Sequence, residues 1–381
     1  MLICCLGQTQ SWQKIHHKAT VVDTHNDVLS SLDGRDISHR LTTGHSDLVR
    51  WKEGGLNVQF FSVWTGPESK HKEGPFKDAN VEIDSLEFII LRNLPHMALA
   101  TTYKQVKRGI RQNKLVALIG VEGGHMIEGD MEKFNTLYRR GMRYMTLTWN
   151  NSTSWSTSAM DETLHADTLS HKGLTEFGRE IVRTMNRLGV IVDLSHTGER
   201  TFYDALATTS KPVILSHSSV WSICPVFRNV KDDQIKAIAA NKGVICINFY
   251  SGFIDSFFAK RYEYLNGPGM RIVQDSLFTL SKDSAKMKAA WKTYYDQELA
   301  KVNPTMNDVV NHIDHIAKLV GVDYVGIGSD FDGVDALPAG LEDVTTYPKI
   351  TQELLRRGYS KRSVKKILGG NVMRVMKANL R

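Results

Sequence analysis

Five short apolar segments of the 381-residue chain end in residue types that bind metal ions. The clearest is GVIVDLSH at residues 189–196, where β-branched residues lead directly to His196. Buried strands have this composition. An α/β barrel places its reactive side chains at the carboxyl ends of such strands. The other four segments are TVVDTHND with His25 and Asp27, LVALIGVEGG with Glu122, PVILSHSS with His217 and YVGIGSDFDG with Asp330.

Eight apolar strands alternate with helical patterns, which predicts an α/β protein with a (β/α)8 TIM barrel of the metal-dependent hydrolase type. The predicted strands are 19–29, 56–65, 115–124, 143–149, 189–196, 213–219, 244–250 and 324–330. Ligand-type residues are spread over the whole chain, which disfavours a doubly wound sheet with one switch point. We expect one catalytic domain over residues 19–381. Residues 251–303 form an aromatic-rich insertion before the last strand, and such segments serve as lids, binding surfaces or oligomer contacts.

Composition argues against several classes of protein. Hydrophobic residues make up 41% of the chain and charged residues 23%, which is ordinary for a soluble globular protein. The net charge of +7 comes from scattered basic residues without interleaved aromatic residues, so nucleic-acid binding is not indicated. The four cysteines form no C-x-x-C pattern, and Cys246 is predicted to be a buried small hydrophobe. No apolar run reaches the ~18–20 residues of a membrane span.

The first 18 residues are predicted to be a tail or the remnant of a signal peptide. Their opening, MLICCLGQTQ, looks like the end of an apolar signal region followed by small and polar residues, although a basic start is absent. We expect an exported protein, periplasmic or membrane-associated, in preference to a cytoplasmic one. Whether a cysteine here carries a lipid anchor stays open.

The ligand-type residues at the strand ends predict a metal centre. They are His25, Asp27, Glu122, His196, His217 and Asp330. Imidazole and carboxylate ligands suit Zn²⁺ and related ions, and one tetrahedral zinc needs about four of them. Six ligands therefore suit two ions that share a carboxylate, which is a site for hydrolysis of an amide or ester. His312 and His315, three apart on a predicted helix, are expected to be surface or edge residues and not a second metal site, because no carboxylate at a strand end accompanies them.

Other catalytic chemistries find less support in the sequence. No G-x-S-x-G segment is present, which argues against a serine hydrolase of that kind. Gly326 and Gly328 begin a G-x-G pattern, but Phe331 stands where a dinucleotide-binding loop has its third glycine.

From about residue 20 to the C-terminus, apart from the insertion, the chain resembles the membrane (renal) dipeptidase family of metallopeptidases. The resembling segments are VDTHNDVL, VEGGHMIEGD, MRYMTLTW, VDLSHT, ILSHSS with RNVKDDQ, and the long block from GIGSDFDGV to LLRRGYS. The resemblance implies two zinc ions per chain, the first bound by His25 and Asp27 and the second by His196 and His217. Glu122 would bridge them. The resemblance also suggests a homodimer.

The same resemblance assigns roles to Asp330 and Arg228. Asp330 would lie beside the first zinc and act as the acid and base for the bridging water. Arg228 would bind the carboxylate of a dipeptide, a pairing that the planar guanidinium favours.

One position departs from the family pattern. Well-studied mammalian members have a histidine after the T-L-T of the fourth strand, proposed to steady the oxyanion, and here that residue is Trp149. An indole can donate one hydrogen bond but carries no charge. Either Trp149 or Asn150 contributes to substrate binding in place of the histidine, or the substrate range or rate differs. We hypothesise a shifted substrate range, which an unchanged dipeptide profile of a Trp149→His variant would contradict.

These inferences predict a dinuclear zinc dipeptidase in which a metal-bridging hydroxide attacks the peptide bond of a free dipeptide. Dipeptides with a D-residue at the C-terminus are included as candidate substrates. One alternative is another metal-dependent amidohydrolase that acts on N-acyl or cyclic amide bonds. A second is a non-enzymatic barrel that uses metal structurally or presents the insertion to a partner.

Overall fold

The computed structural model describes residues 12–280 and 283–381, and its centre is a sheet of nine strands, all of whose pairings are parallel. In chain order the strands are β1 (Val22–Asp23), β2 (Val58–Val63), β3 (Met97–Leu99), β4 (Leu115–Glu122), β5 (Met142–Thr146), β6 (Ile191–Asp193), β7 (Ile214–Leu215), β8 (Val244–Ile247) and β9 (Val325–Ile327). All eight predicted strands are present at their expected places.

Eight of these strands close into a barrel. The order around the ring is β1, β2, β4, β5, β6, β7, β8 and β9, and β1 pairs with β9 to complete it. The (β/α)8 prediction is therefore confirmed. Strand β3 lies outside the ring, where Met97 pairs with Leu115 at the start of β4. The sequence pattern missed this strand, because it is only three residues long and lies between helical patterns on both sides.

Helices surround the barrel. The longer ones are α1 (Leu48–Glu53), α2 (Pro75–Arg92), α3 (Tyr103–Arg111), α4 (Met131–Arg139), α5 (Ala159–Leu164), α6 (Glu176–Leu188), α7 (Glu199–Thr208), α8 (Asp232–Ala240), α9 (Ser251–Ile254), α10 (Ser256–Leu265), α11 (Pro268–Thr279), α12 (Ser284–Ala300), α13 (Met306–Val320), α14 (Tyr347–Arg356), α15 (Lys361–Lys365) and α16 (Asn371–Asn379). Short 3-10 turns cover Gly124–Ile127, Ala166–Thr168, Val322–Tyr324 and Val344–Thr346. Among the described residues, no helix combines the length and the apolar composition that crossing a bilayer requires.

The barrel interior is a compact apolar cluster. Alternate strand residues such as Phe60, Leu118 and Cys246 are fully buried there, which confirms the prediction for Cys246. Val372 and Met376 of α16 belong to the same cluster, so the last helix packs at the base of the barrel. The opposite, carboxyl end of the barrel is thereby left for polar side chains.

Residues 251–303 carry helices α9 to α12 between β8 and α13. Tyr262 of α10 donates a hydrogen bond to Asp335 in the segment after β9, which connects the insertion to the carboxyl end of the barrel. Helix α12 buries none of its described residues.

Two sequence expectations concern the edges of this fold. The expected signal remnant and its cysteines fall in residues 1–11, which lie outside the described residues. Residues 12–17 are helical, and His16 is buried. The expectation that His312 lies at the surface is wrong. Its side chain is fully buried on α13, where Nδ1 accepts from the Val220 amide and Nε2 donates to the Ile254 carbonyl, each at 2.9 Å. His315 is half-buried and pairs with Asp232.

Candidate metal centre and active site

The six predicted ligands all lie at the carboxyl end of the barrel. Glu122 is the last residue of β4, and the others follow their strands by two to four residues. Strand β1 is shorter than predicted, so His25 and Asp27 lie beyond it. An isolated bridge between Asn26 and Phe331 keeps this segment extended, and both side chains still reach the same centre. All six side chains are buried.

One group of ligand atoms surrounds His25. Its Nε2 atom lies 3.2 Å from Oδ2 of Asp27 and 3.9 Å from Oδ1 of Asp330. The three residues present one ligand atom each within 4.8 Å of one another. Asn248 donates to the other carboxylate oxygen of Asp330 at 2.7 Å, which leaves Oδ1 facing His25.

Glu122 connects this group to a second one. Its Oε2 atom lies 3.3 Å from Nε2 of His25, while Oε1 lies 3.0 Å from Nε2 of His196 and 3.3 Å from Nε2 of His217. The two oxygens of one carboxylate therefore face two different sets of ligands. This is the arrangement that a carboxylate shared by two ions requires.

Each histidine is oriented through its other ring nitrogen. Nδ1 of His25 contacts the Tyr144 hydroxyl at 2.8 Å, and Nδ1 of His196 contacts Oδ1 of Asn150 at 2.9 Å. Nδ1 of His217 contacts the Ser216 hydroxyl at 2.8 Å. Such contacts fix the tautomer and the ring orientation of metal-binding histidines. With the ring hydrogens on Nδ1, all three Nε2 atoms present lone pairs beside Glu122, where an ion could bind.

Further residues hold these orienting groups in place. The Ser216 hydroxyl donates to Oδ2 of the fully buried Asp193 at 2.6 Å, so its oxygen can only accept from His217. The Tyr144 ring fits because residue 120 is glycine, where a Cβ would lie 2.0 Å from the ring. The absence of a side chain at Gly120 of β4 thus leaves space for the Tyr144 ring, whose hydroxyl contacts His25.

The backbone at two ligands is strained. His196 and Asp330 have φ angles of +62° and +65°, in the left-handed region that residues other than glycine rarely adopt. Such conformations persist only where the surrounding structure imposes them, and they cluster at functional sites. Here the turn directs both side chains back over the barrel opening.

Charge and burial set the protonation of the centre. Burial, and then the charge of Arg228, lower the pKa of His196 to about 3, so this imidazole is neutral. Burial also holds the pKa of His217 well below its usual value. For Asp330, burial and the neighbouring Asp27 raise the carboxyl pKa well above its usual value. Neutral imidazoles beside crowded carboxylates form an environment that a divalent cation would relieve.

Two of the predicted ligands have buried polar atoms without a hydrogen-bond partner, which is a further indication of a metal site. Nε2 of His25 and Oδ1 of Asp27 are buried without a hydrogen-bond partner in the described chain. Buried polar groups are rarely left in this state. Nitrogen and carboxylate donors are those that zinc and similar first-row ions prefer.

A cavity of about 610 Å³ opens above the ligands. Four of the predicted ligands, Asp27, Glu122, His196 and Asp330, line it, and so do Arg228, Trp149 and Asn150, the predicted substrate-binding residues. The remaining walls are aromatic and acidic. These residues are Trp64, Tyr250, Phe253, Tyr262, Asp332 and Asp335, and Ser30, Gly333 and Val334 complete the lining.

Arg228 is the cation of this cavity and is itself buried, with 4% of its surface exposed. Nη2 donates to the His217 carbonyl at 3.2 Å, and the guanidinium lies over the Phe253 ring at 5.3 Å. Nε and Nη1 have no partner within the described chain. A buried guanidinium with two free donors is suited to a carboxylate.

A comparison with known protein families identifies the family of this chain. Residues 9–380 match the membrane dipeptidase family, peptidase family M19. The chain belongs to this family. It is therefore a metallo-dipeptidase, as the resemblance in the sequence indicated. The non-enzymatic alternative is excluded.

Solved structures similar to this dipeptidase have the same fold. The probable dipeptidase PvdM from Pseudomonas aeruginosa is 21% identical, with 98% of each chain covered and a TM-score of 0.79. Dipeptidase AC, a metallopeptidase of family M19, is 24% identical over 95% of this chain and 99% of its own, with a TM-score of 0.74. A metallopeptidase from Rhodobacter sphaeroides, solved with a phosphinate mimic of the dipeptide L-Ala-D-Ala, is 23% identical over 95% and 99%, with a TM-score of 0.74.

Sequence reasoning did not single out several residues of this dipeptidase's site. Tyr144, Asn248 and Asp193 contact ligands or their supports, and Trp64 lines the cavity. Each lies on or just after a barrel strand, and this position was the sequence feature by which they could have been found. Polar residues buried in otherwise apolar strands, such as Asp193, could have been identified in the same way as Glu122.

Proposed function

We propose that this family member is a dinuclear zinc dipeptidase that hydrolyses free dipeptides. The observation that carries the proposal is the position of Glu122, whose two carboxylate oxygens face His25 on one side and His196 with His217 on the other. A carboxylate whose two oxygens face separate groups of histidines is suited to bridging two ions and is not needed to bind one. The unpartnered guanidinium of Arg228 in the same cavity adds a receptor for the free carboxylate of a small substrate.

The proposed ligand sets follow the contacts. His25 and Asp27 would hold the first zinc, His196 and His217 the second, and Glu122 both, with Asp330 beside the first. Two bound ions would activate a water molecule and polarise the carbonyl of the scissile bond. Residues 19–381 would act as one catalytic domain that carries the 251–303 insertion.

Arg228 would fix the substrate by its C-terminal carboxylate through the two donors that have no partner in the described chain. This contact explains a preference for dipeptides, because the carboxylate must lie one residue beyond the scissile carbonyl. An N-acyl or cyclic amide substrate without that carboxylate would leave the guanidinium buried and unpaired, at a cost of ~2–5 kcal/mol. Arg228 therefore disfavours those substrates of the alternative amidohydrolase that lack this carboxylate, such as simple cyclic amides.

Asp330 would move the proton. Asn248 holds one of its oxygens, so the other faces the ligand cluster and the cavity. It would accept a proton from the attacking water and deliver it to the leaving amine. An Asp330→Asn variant should keep much of its metal and lose most of its turnover, and retained turnover would remove Asp330 from this role. Trp149 and Asn150 are proposed to contact the substrate near the reacting carbonyl.

Three finer points are also proposals. Acceptance of a D-residue at the C-terminus is supported by the similar Rhodobacter sphaeroides structure with its L-Ala-D-Ala mimic. Export, to the periplasm or a membrane surface, rests on the N-terminal sequence alone. A homodimer rests on the family resemblance, and light scattering of the purified protein would measure the mass that decides it.

The deciding experiment is dipeptide hydrolysis by the purified protein, before and after chelation and after zinc is restored. The substrates should include L-L and L-D dipeptides, a tripeptide and an N-acetylated dipeptide. We expect zinc-dependent cleavage confined to free dipeptides, with a large loss in an Arg228→Ala variant. Cleavage of the N-acetylated dipeptide or a cyclic amide at equal rates would favour the other amidohydrolase.

A further inference from the structure

Two tryptophans form one wall of the active-site cavity. Trp64 directly follows β2, and Trp149 lies three residues after β5. Their ring centroids are 5.1 Å apart with the planes at 59°, and Trp149 also lies 6.2 Å from the ring of the ligand His196. The pair therefore begins at the metal ligands and extends away from them along the cavity.

These two rings are not ordinary core tryptophans. Trp51 and Trp155 are each 1% exposed, whereas Trp64 and Trp149 are half-buried and line the cavity. Their packing thus leaves aromatic surface available inside a cavity, where it can contact an apolar group of a ligand.

The Trp64 end of this wall lies opposite the carboxylate receptor. Around the barrel β2 and β7 are four strands apart in either direction, and Arg228 belongs to the loop that follows β7. Trp149 follows β5, which lies midway between these two strands. A dipeptide with its carboxylate on Arg228 and its peptide bond over the ligands must direct its N-terminal residue away from Arg228. That direction leads towards Trp64 and Trp149.

We infer that Trp64 and Trp149 form the subsite for the side chain of the N-terminal residue, and that this subsite selects large apolar or aromatic side chains. The inference rests on the proposed dipeptidase function and gives it a substrate class. An aromatic side chain packs on tilted rings at centroid separations of about 4.5–7 Å, which the spacing of the pair allows. A glycine at the same place would leave both rings without a partner.

The experiment compares Gly-Ala, Ala-Ala, Leu-Ala and Phe-Ala, with Ala-Phe as the reversed sequence. We expect kcat/KM for Phe-Ala to exceed that for Gly-Ala by at least ~10-fold, since each added methylene in an apolar pocket is worth ~10-fold or more. In Trp64→Ala and Trp149→Ala the Phe-Ala to Gly-Ala ratio should fall about tenfold, mostly through KM. The ratio cancels any general loss of activity.

The half-buried Trp291 on α12 provides a matched control outside this cavity, and the Phe-Ala to Gly-Ala ratio of Trp291→Ala should equal that of the wild type. Should an alanine variant not fold, Trp64→Leu and Trp149→Leu retain apolar volume and should still lower the ratio. Calorimetric Kd values for phosphinate analogues of Phe-Ala and Gly-Ala give a readout independent of turnover. The Phe-Ala analogue should bind more tightly, and the difference should shrink in the variants.

Three results would overturn the inference, and they separate it from the proposed function. Preferred cleavage of Gly-Ala, with Phe-Ala gained in the alanine variants, would mean that the tryptophans block the subsite. Equal cleavage of all N-terminal residues, unaffected by the variants, would remove the tryptophans from specificity while the dipeptidase function stands. Failure to cleave any dipeptide in the zinc-loaded protein would reject both.

Discussion

Nε2 of His196 lies 2.9 Å from Nε2 of His217, and both nitrogens also face Oε1 of Glu122. The Nδ1 atom of each ring faces an acceptor, so the Nδ1 atoms carry the hydrogens and the Nε2 atoms present lone pairs. Two buried lone pairs at this distance repel each other unless a cation lies between or beside them. Because of this contact, we expect a bound cation to stabilise the folded protein in addition to its part in the reaction.

Removal of the metal should lower the thermal stability of the protein. A ligand that binds only the folded state adds about 4 kcal/mol when present at 1,000 times its Kd. We expect chelation to lower Tm by several degrees and abolish dipeptide hydrolysis, and added zinc to restore both. Scanning fluorimetry measures the first and product release the second.

The matched control is Glu122→Gln, which weakens the group that faces both sets of histidines. Its Tm should respond less to chelation and to zinc than that of the wild type. If the stripped wild-type protein kept its Tm while zinc content, measured by atomic absorption, fell to zero, the centre would have no part in stability.

Asn150 and Asn151 allow the orienting contact of His196 to be tested with adjacent, identical side chains. Asn150 accepts from Nδ1 of His196, whereas the Asn151 side chain reaches only the neighbouring Ser152 carbonyl at 3.5 Å. Loss of a group that orients a metal-binding histidine costs ~10–100-fold in metal affinity or activity. We expect Asn150→Ala to lose zinc affinity by that factor in competition with a chromophoric chelator.

Asn151→Ala should leave the zinc affinity unchanged. Equal zinc affinities for the two variants would show that Asn150 does not orient His196. Reduced dipeptide hydrolysis with unchanged zinc affinity would instead place Asn150 at the substrate, which is the role suggested by its position in the sequence.

Gly333 is the residue that leaves space for the carboxylates of Asp27 and Asp330. A Cβ at this position would lie 2.2 Å from Oδ2 of Asp27 and 2.7 Å from Oδ1 of Asp330. Gly333→Ala should therefore displace one carboxylate, reduce the zinc content and lower kcat/KM by ~10-fold or more, because displacements of about 1 Å cost ~100-fold in aligned sites.

The control for that change is Gly66→Ala, where a Cβ meets nothing within 4 Å. Both variants should keep the far-UV circular dichroism of the wild type. Full activity and zinc content in Gly333→Ala would mean that the carboxylates adjust without cost, and that the site is less rigid than its contacts indicate.

The strands were predictable because apolar β-branched runs are local features of the sequence, and the candidate ligands could be chosen because His, Asp and Glu residues at the ends of such runs are equally local. Strand β3 was not, since three residues pair with β4 only after the chain has folded. His312 was misplaced because a polar residue near the edge of a helical stripe normally faces solvent. Its ring nitrogens are satisfied by Val220 and Ile254, 92 and 58 residues away, which no local pattern reveals.

The cavity walls depend on tertiary contacts in the same way. Trp149 and Asn150 drew attention through a departure from a family pattern, but their contacts with Trp64 and His196 join different strands of the barrel. The orientation of Arg228 likewise depends on the insertion residue Phe253 beneath it. Loops that converge from several strands determine substrate contacts, and a single sequence does not report their relative positions.

Glu82, which is not one of the predicted metal ligands, gives a pH-dependent prediction. It is buried on α2, where its Oε2 accepts from the Trp64 amide at 2.7 Å. Burial raises the pKa of Glu82 to about 8, although the Trp64 hydrogen bond opposes the shift. Between the ordinary carboxyl pKa and pH 8 the folded state retains a proton that the unfolded state has lost, so stability falls as the pH rises through this window.

Glu82→Gln keeps an acceptor for the Trp64 amide and cannot ionise, so it should remove this dependence. The gain in Tm over the wild type should be small at pH 5.5 and should grow to a few degrees at pH 9. Glu180→Gln, an exposed glutamate on α6, should show no such trend across the same buffers. A Glu82→Gln gain in Tm that is constant from pH 5.5 to 9 would contradict this prediction. It would mean that Glu82 is already ionised in the folded protein at pH 5.5, with its charge stabilised by groups other than the Trp64 amide.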